Sequence, residues 1–251
     1  MRAIDLNADL GETVDGVPTA DDTALFAVIT SASVACGGHA GDAASMRAAA
    51  AAAAAGAVAV GAHPSFPDPA NFGRVHLSVD PVLLRAQVTG QLDALAAAGA
   101  DIRYVKPHGA LYHAVSADAA AAAAVAASVA DLSARLGRAV PVLGLDGEIV
   151  AAVAAAGLGF VREAFLDRAY LPDGTLVARG VPGAVLHDAG EVADRAVRLA
   201  VDGVVVAVDG ALVQTDAASL CVHGDSPGAV AMARAVRAAL VAAGVTVRAP
   251  W

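Results

Sequence analysis

Lysine is almost missing from this sequence. The chain contains 16 lysine and arginine residues in 251, and Lys106 is the only lysine among them. It follows an apolar run and precedes Pro107, which places it at the end of a predicted strand. Arginine cannot replace a compact ammonium group, because its guanidinium is longer, forked and permanently charged. His108 lies two residues further, on the same face of an extended chain. We interpret the pair as functional, because titratable clusters tend to mark sites; drift of one lysine to a strand end is the alternative.

Aromatic residues are also scarce, at 4% against 57% hydrophobic residues, so alanine, valine and leucine must fill the core. The alanine tracts at 47–55 and 119–124 favour helices. Neither reaches the roughly 20 apolar residues of a membrane span. The first residues lack the charged and long apolar regions of a secretory signal. Cys36 and Cys221 stand far apart and are typical of reduced thiols. The sequence therefore predicts a cytoplasmic protein without a membrane partner.

Basic runs and nucleotide motifs are absent. The net charge of −9 and the pI near 5.0 argue against a nucleic-acid partner, although they allow an anionic small molecule. A phosphate-binding loop ending in Gly-Lys-Ser/Thr is excluded, because Pro107 follows the only lysine. Gly157 and Gly159 lack the third glycine of a dinucleotide fingerprint, and there is no Gly-x-Ser-x-Gly elbow. Any nucleotide chemistry must use an unfamiliar site or another chain.

A repeated unit is present: a short apolar run, a polar segment, then an alanine-rich helical pattern. Seven such units show a clear strand-then-helix pattern. No long linker divides them, so we predict one domain over residues 1–251. The predicted strands cover residues 4–10, 31–36, 57–61, 102–106, 140–145, 159–165 and 219–222. The main predicted helices cover residues 21–29, 43–55, 81–98, 117–136, 148–156, 191–200 and 228–242. A turn at 172–174 and a hairpin at 204–213 lie between the last two units.

Strands alternating with helices predict a parallel sheet covered by helices, which is either an open doubly wound sheet or a closed barrel. Polar residues follow almost every predicted strand. An open sheet collects its site mainly at one switch point, so this distribution favours the α/β class with a (β/α) barrel. Seven strands, or an irregular version of the eight-stranded barrel, are equally expected.

The polar strand ends form the candidate site. Any one of them alone is more often a helix cap or a structural residue, and Asp42 and Asp225 in particular are suited to capping. We interpret Asp5, early in its strand, as structural and Asp9, nearer the rim, as functional. The set at the strand ends is Asp5, Asn7, Asp9, Glu12, His39, Asp42, His63, Asp68, Lys106, His108, Glu163, Asp167, Arg168, His223 and Asp225.

Several motifs occur in the order found in a known family. They are DLNADLGE at 5–12, ACGGHAGD at 35–42, GAHPS at 61–65, VKPHGALY at 105–112, DRAY at 167–170 and CVHGD at 221–225. Together they resemble the lactam-utilisation family, to which the A subunit of 5-oxoprolinase belongs. The resemblance implies a (β/α) barrel of the glycoside hydrolase/deacetylase superfamily. It also implies ATP-dependent hydrolysis of 5-oxo-L-proline to L-glutamate, with ATP and Mg²⁺ as cofactors and two partner subunits.

The hypothesis for the mechanism follows from this resemblance and the residue types. Lys106, with His108 or His223, would stabilise the oxygen charge of the transition state. Asp9 or Glu163, with a raised pKa, would accept a proton from water. The predicted catalytic residues are Asp9, Lys106, His108, Glu163, His223 and Asp225. The predicted substrate-binding residues are Asn7, His39, His63, Arg74 and Arg168, of which Arg74 or Arg168 would hold the substrate carboxylate.

Two other functions remain open. In the first, His39, His63 and Asp9 bind a divalent metal, and the protein is a stand-alone deacetylase or amidohydrolase. We rank the metal second, because the three residues have no compact ligand spacing in sequence. In the second, the chain is a non-catalytic scaffold for partner subunits.

Overall fold

The structure is a computed structural model that describes residues 2–251. The strands are β1 (Ala3–Leu10), β2 (Thr13–Val14), β3 (Val17–Pro18), β4 (Ser31–Ala35), β5 (Ala59–His63), β6 (Ile102–Val105), β7 (Val142–Gly144), β8 (Phe160–Phe165), β9 (Val204–Val206), β10 (Leu212–Gln214), β11 (Ser219–Cys221) and β12 (Thr246–Val247). The helices are α1 (Asp22–Phe26), α2 (Ala43–Gly56), α3 (Pro81–Ala97), α4 (Gly109–Ala117), α5 (Ala119–Leu136), α6 (Glu148–Ala155), α7 (Ala189–Asp202) and α8 (Ala229–Ala242).

Seven parallel strands close into a barrel in the order β1, β4, β5, β6, β7, β8, β11. Closure comes from β11 pairing with β1, where Asp5 lies opposite Ser219 and Asn7 opposite Cys221. On its other side β1 pairs with β4, and the first residues of β1 also pair with β12. The prediction of a (β/α) barrel is confirmed, and of the two strand numbers left open the structure has seven; the open doubly wound sheet is wrong.

The alternation in β1 separates a polar interior from an aliphatic exterior. Leu6, Ala8 and Leu10 belong to the hydrophobic core, as expected when helices cover the outside of a barrel. Asp5 on the other face is fully buried, and its carboxylate accepts hydrogen bonds from Ser31 at 2.7 Å and from Ser219 at 2.5 Å. Burial raises its pKa despite these hydroxyl donors. Asp5 therefore ties neighbouring strands together, which agrees with the interpretation that it is structural.

Aromatic residues close the end of the barrel at which β4 begins. Trp251 stacks on Tyr104 with ring centroids 4.2 Å apart, and its indole N–H donates to Ser31 at 2.9 Å. The Tyr104 hydroxyl lies 3.0 Å from the hydroxyl of Ser33. Gly61 leaves the space for the Tyr104 ring. With few aromatic residues in the chain, two of them are used to fill this end of the polar interior.

Some predicted boundaries were wrong. The helix predicted over 21–29 ends at Phe26 in α1, and β5 runs two residues beyond its predicted end, to His63. The helix α4 was not predicted at all, because Pro107 and Gly109 indicate a loop. Gly109 adopts φ +55, and a Cβ there would lie 2.5 Å from the Gly73 carbonyl oxygen. A glycine is therefore required for the chain to turn from β6 into α4 beneath the loop that carries Gly73.

Helix α5 has the length and apolar composition that a membrane span would need, with 18 residues and a mean hydropathy of 1.4. Half of it is buried in the protein. Its buried residues, among them Val125, Val129 and Leu132, belong to the hydrophobic core. Packing against other helices therefore accounts for its composition.

We expect Gly61→Ala to destabilise the barrel by about 3 kcal/mol, because steric overlap in a close-packed interior has no free space to relax into. The added Cβ would lie 2.2 Å from the Tyr104 ring. Gly90→Ala is the matched control. Gly90 lies within α3, where an added Cβ would meet no atom of another described element within 4 Å, and we expect the free energy of unfolding to rise by about 0.5–1 kcal/mol. Urea unfolding measures both. Equal midpoints for Gly61→Ala and the parent would contradict this packing.

Candidate active site

One cavity of about 370 Å³ opens at the carboxyl ends of the barrel strands. This is the end at which barrel enzymes carry their active sites. Seven of the predicted site residues line it: Asp9, His63, Arg74, Lys106, His108, Arg168 and His223. They come from five different strand ends or the loops that follow them. The convergence expected from the sequence is therefore present in the structure.

Lys106 lies at the centre of the floor of this cavity and is 1% exposed. Its ammonium donates to Asp9 Oδ1 at 2.9 Å, to Asn7 Oδ1 at 3.2 Å and to the Cys221 sulfur at 3.1 Å. Glu163 Oε2 lies 3.1 Å away. Burial alone would lower the pKa of Lys106, but Asp9, Cys221 and Glu163 outweigh it and hold the pKa well above its ordinary value. An ammonium has three N–H donors, so the protein already uses all of them.

The two predicted bases have different positions. Asp9 lines the cavity, and burial would raise its pKa, but the charges of His63 and Lys106 hold it well below its ordinary value. The expectation of a raised pKa at Asp9 is therefore wrong, because the neighbours that decide it are His63 and Lys106 rather than carboxylates. Glu163 lies behind Lys106 and lines a second cavity of about 580 Å³ instead. Asn7, fully buried between Glu163 and Ser219, has no surface on the first cavity.

Two histidines on the cavity wall, His63 and His108, each direct one ring nitrogen at the other. His63 Nδ1 lies 2.7 Å from the Lys106 carbonyl, and His108 Nε2 lies 2.9 Å from the Phe72 carbonyl. A carbonyl only accepts hydrogen bonds, so both of these nitrogens carry protons. If both rings are neutral, His63 Nε2 and His108 Nδ1 present lone pairs to each other at 3.0 Å. Such a contact needs a positive charge between the rings, either a proton or a metal ion.

Glu12 and His39 complete this cluster. Glu12 Oε1 lies 2.9 Å from His39 Nε2 and 3.7 Å from His108 Nδ1. Burial and the charge of Asp9 raise the pKa of Glu12 to about 7. His39 stacks on His108 with centroids 3.6 Å apart, and its Nδ1 is buried without a hydrogen-bond partner among the described residues. His39 does not line the first cavity, so its predicted contact with the substrate has no geometric support.

These residues fit a divalent metal. The donor atoms of Glu12, His39, His63 and His108 lie within 4.8 Å of one another, and imidazole with carboxylate is a common donor set for zinc. His63 and His108 direct their other N–H groups to backbone carbonyls, as metal-binding histidines commonly do. Burial and the neighbouring imidazoles lower the pKa of His108, so its ring remains neutral and able to donate a lone pair. Of the metal ligands predicted from the sequence, Asp9 instead flanks the cluster, with Oδ2 3.4 Å from His63 Nε2.

His223 and Asp167 form an acid–imidazole pair in the cavity, with a ring nitrogen of His223 within 4.8 Å of a carboxylate oxygen of Asp9. His223 Nδ1 lies 2.8 Å from Asp167 Oδ1, and the ring stacks on Phe165 with centroids 5.2 Å apart. Burial opposes charge on this ring, but Asp167 outweighs it and raises the pKa of His223. Nε2 makes no hydrogen bond to the described residues, and His223 lines the cavity. This imidazole is therefore oriented, and able to give a proton to a bound molecule.

Asp225 and Arg168 occupy other roles than those predicted. Asp225 pairs with Arg74 at 2.5 Å and with Arg179 at 3.1 Å, and it does not line the first cavity. It does not cap α8 either, because Gly228 is at that position, whereas Asp42 does cap α2. Arg168 lines the cavity but donates to the carbonyls of Val177 and Ala184. It therefore holds the segment 171–186 in place.

Sequence reasoning missed Arg179 and assigned no role to Glu12 or Asp167. Arg179 lies in an irregular segment after β8, where no motif surrounds it; its only signal is a cationic residue in a loop that follows a barrel strand. Asp167 was recognisable as one of the strand-end acids, but its pairing with His223 depends on the contact between β8 and β11.

The fold and the cavity together define a class: a seven-stranded (β/α) barrel with an enzyme-like polar site at the carboxyl ends of its strands. Within this class the chain belongs to the LamB/YcsF family, whose model matches residues 4–250. The membership predicted from the motifs is confirmed.

Curated and solved relatives extend the match. A protein of Streptomyces griseus, named as the A subunit of 5-oxoprolinase, is 54% identical over 252 residues, covering 98% of this chain and 99% of that protein. The lactam utilization protein of Thermus thermophilus is 41% identical with a TM-score of 0.90, covering 98% of this chain and 99% of that one. The structure named T48 deacetylase is 12% identical with a TM-score of 0.51, covering 98% of this chain and 87% of that one, and shows a shared fold alone.

We expect Lys106→Met to cost about 3–5 kcal/mol of unfolding free energy, because it leaves Asp9 and Glu163 buried without their cation. In the parent, the lowered pKa of Asp9 stabilises the fold above the unfolded pKa of that carboxyl, and this contribution is lost as the pH falls. The variant loses this contribution, which is complete above the unfolded pKa of about 4, so its deficit is larger at about pH 6 than at about pH 3.

Urea unfolding at both pH values measures the effect. Adding Glu163→Gln to Lys106→Met removes one uncompensated charge and restores part of the loss. A deficit that does not change with pH, and is not relieved in the double variant, would show that the charge of Lys106 is unimportant for stability.

Proposed function

We propose that this protein hydrolyses 5-oxo-L-proline to L-glutamate as the ring-opening subunit of an ATP-dependent, multi-subunit 5-oxoprolinase in the cytoplasm. The names of its close relatives support the substrate and the existence of partner subunits. The observation that carries the proposal is the single cavity in which the His223–Asp167 pair faces the buried Lys106 cluster, with arginines at its rim. Such a cavity is suited to a small, polar, anionic amide.

Opening a lactam requires a proton on the ring nitrogen as it leaves. His223 is the best donor in the cavity, because Asp167 orients its ring and raises its pKa. General acids of this kind contribute roughly 10²–10⁴-fold to the rate. Lys106 was proposed from the sequence to stabilise the oxygen charge; with its donors all used by the protein, we assign it instead to holding Asp9 in its ionised form.

The water that attacks the carbonyl would lie beside Asp9, in the part of the cavity lined by His63 and His108. Asp9 is held ionised, so its carboxylate offers a hydrogen-bond acceptor for a water proton. Asp9 remains a proposed catalytic residue, but its low pKa suits orienting the water better than removing its proton.

ATP enters the proposal because hydrolysis of an unstrained lactam is uphill near neutral pH. This chain has none of the common phosphate-binding loops, since Pro107 follows its only lysine. We therefore infer that two partner subunits bind or share the ATP and Mg²⁺ that activate the lactam, and that this barrel opens the ring.

A stand-alone metal-dependent amide hydrolase is the second candidate. The facing nitrogens of His63 and His108, with Glu12 beside them, favour it. A divalent metal held by Glu12, His39, His63 and His108 would supply a Lewis acid and an acidified water. The two candidates differ in their need for ATP and partners.

We expect glutamate to be released from 5-oxoproline only when ATP and the partner subunits are present. His223→Gln lowers this rate by roughly 10²–10⁴-fold. His187→Gln is the matched control: His187 lies outside the cavity, so the rate stays unchanged. The assay follows glutamate over time with each component omitted in turn.

The same preparations are analysed for bound metal by mass spectrometry. Turnover of amides without ATP by a chain that carries stoichiometric zinc would replace the first candidate with the second. If His223→Gln acts at the parent rate while 5-oxoproline is hydrolysed, the barrel is a scaffold for chemistry carried out elsewhere in the complex.

We expect Asp167→Asn to move the alkaline limb of the pH–rate profile to lower pH. The charges facing His223 are Asp167 and Asp9, which raise its pKa, and Arg179, which lowers it. An acid must be protonated to act, so activity falls as the pH rises through its pKa. Without the Asp167 charge that pKa is lower and the fall begins earlier. A profile of kcat/KM against pH measures this; an unshifted limb would mean that another group donates the proton.

A further inference from the structure

Two arginines from separate loops meet at the rim of the cavity. Arg74 lies in the loop after β5, and Arg179 lies in the segment 171–186 that follows β8. Both line the cavity, and both donate to Asp225, which lies after β11. Their side chains are 37% and 29% exposed, so each guanidinium is partly withdrawn from water while remaining open to the cavity.

Neither guanidinium is saturated by the protein. Each uses only its Nη2 atom on Asp225, and neither side chain makes another hydrogen bond within residues 2–251. A guanidinium has five N–H donors in a fixed fork. Arg162, by contrast, is engaged by the two carboxylates of Asp146 and Asp216. Arg74 and Arg179 thus retain donors that a planar anion can accept.

The charges at the rim do not balance. Arg179 and Arg74 outweigh the effect of burial and hold the pKa of Asp225 below its ordinary value, so the group carries two positive charges and one negative charge. Away from the rim, the cation of Lys106 is already matched by Asp9 on the cavity floor and by Glu163 behind it, so it offers no uncompensated positive charge to a ligand. A ligand with a carboxylate at one end and a neutral amide at the other would therefore enter with the carboxylate at the rim.

The two arginines also differ in how they are held. Arg74 packs over the Phe72 ring, with its Cζ 4.8 Å from the ring centroid, in the loop that accepts the hydrogen bond of His108. Arg179 belongs to the segment that Arg168 fixes through the carbonyls of Val177 and Ala184. Arg168, which the sequence predicted to hold the substrate carboxylate, therefore supports the segment 171–186 that carries Arg179. Its own donors are used by backbone carbonyls.

We propose that Arg179, together with Arg74, binds the carboxylate of the ligand and makes the cavity selective for small amides that carry one. The identity of the ligand as 5-oxoproline rests on the proposed function; the selectivity for a carboxylate rests on the arginines. Paired guanidinium–carboxylate contacts are strong and directional, so they both tighten binding and set the orientation of the amide over His223.

The test compares ligands with and without the carboxylate. Binding of 5-oxoproline and pyrrolidin-2-one, and of N-acetylglycine and N-methylacetamide, is measured by calorimetry on the full chain, alone and with its partner subunits. We expect the carboxylate member of at least one pair to bind roughly 10- to 100-fold more tightly. Arg179→Gln abolishes most of this difference without changing the binding of the neutral member, and Arg179→Lys restores part of it.

Arg135→Gln is the control. Arg135 pairs with Asp93 on the outer surface, away from the cavity, so the ratio within each pair stays at the parent value. Thermal unfolding of every variant confirms that the fold is retained.

The outcomes separate this inference from the proposed function. If N-acetylglycine binds in a manner that depends on Arg179 but 5-oxoproline does not bind, the anchor stands and the proposed substrate is wrong. If 5-oxoproline is hydrolysed but Arg179→Gln leaves the carboxylate preference intact, the proposed function stands and the anchor is wrong. If no carboxylate binds better than its neutral counterpart, the anchor is also wrong.

Discussion

The site depends on one buried ammonium. Lys106 contacts groups from β1, β8 and β11 while itself following β6, so a single side chain joins four strand ends across the barrel. Asp9 on the cavity floor and Glu163 behind it are buried against this ammonium, and a neighbouring cation favours the ionised form of a buried carboxylate. The compact ammonium supplies this charge as a point donor to several acceptors, which a longer, forked guanidinium does not reproduce. The ionised state of Asp9, and therefore the character of the water-binding wall, follows from it.

The barrel interior is built from polar layers rather than from aliphatic side chains alone. Asp5 is satisfied by hydroxyl donors, and Asn7 by Ser219, Glu163 and Lys106. Buried polar groups are tolerated only where they are paired. These polar residues therefore support one another along the barrel interior. At the cavity, the groups that keep free donors or acceptors face a ligand. The contact between the facing nitrogens of His63 and His108 is different, because it needs a positive charge that no other group among the described residues supplies.

The cavity presents three chemically different groups. Asp9 presents a carboxylate acceptor, the neighbouring His223 presents a proton, and the rim presents cations. Such a division suits hydrolysis of an amide that carries a carboxylate, because attack, proton donation and anchoring occur at different places. Both candidate functions use the same geometry. They differ in what supplies the positive charge beside the histidines and in what activates the amide.

The sequence by itself determined the strands, most helices, the seven-unit count and the family, because hydrophobic periodicity and the ordered motifs are local signals. It also determined that acids, histidines and one lysine follow the strands. Only the tertiary structure decided their partners. Register placed Asp167 beside His223 and Lys106 among the carboxylates, and it thereby reversed the expected pKa shift of Asp9. Arg179 and the pairing of Asp225 also depended on loop packing, since contacts between residues far apart in the chain leave no pattern in it.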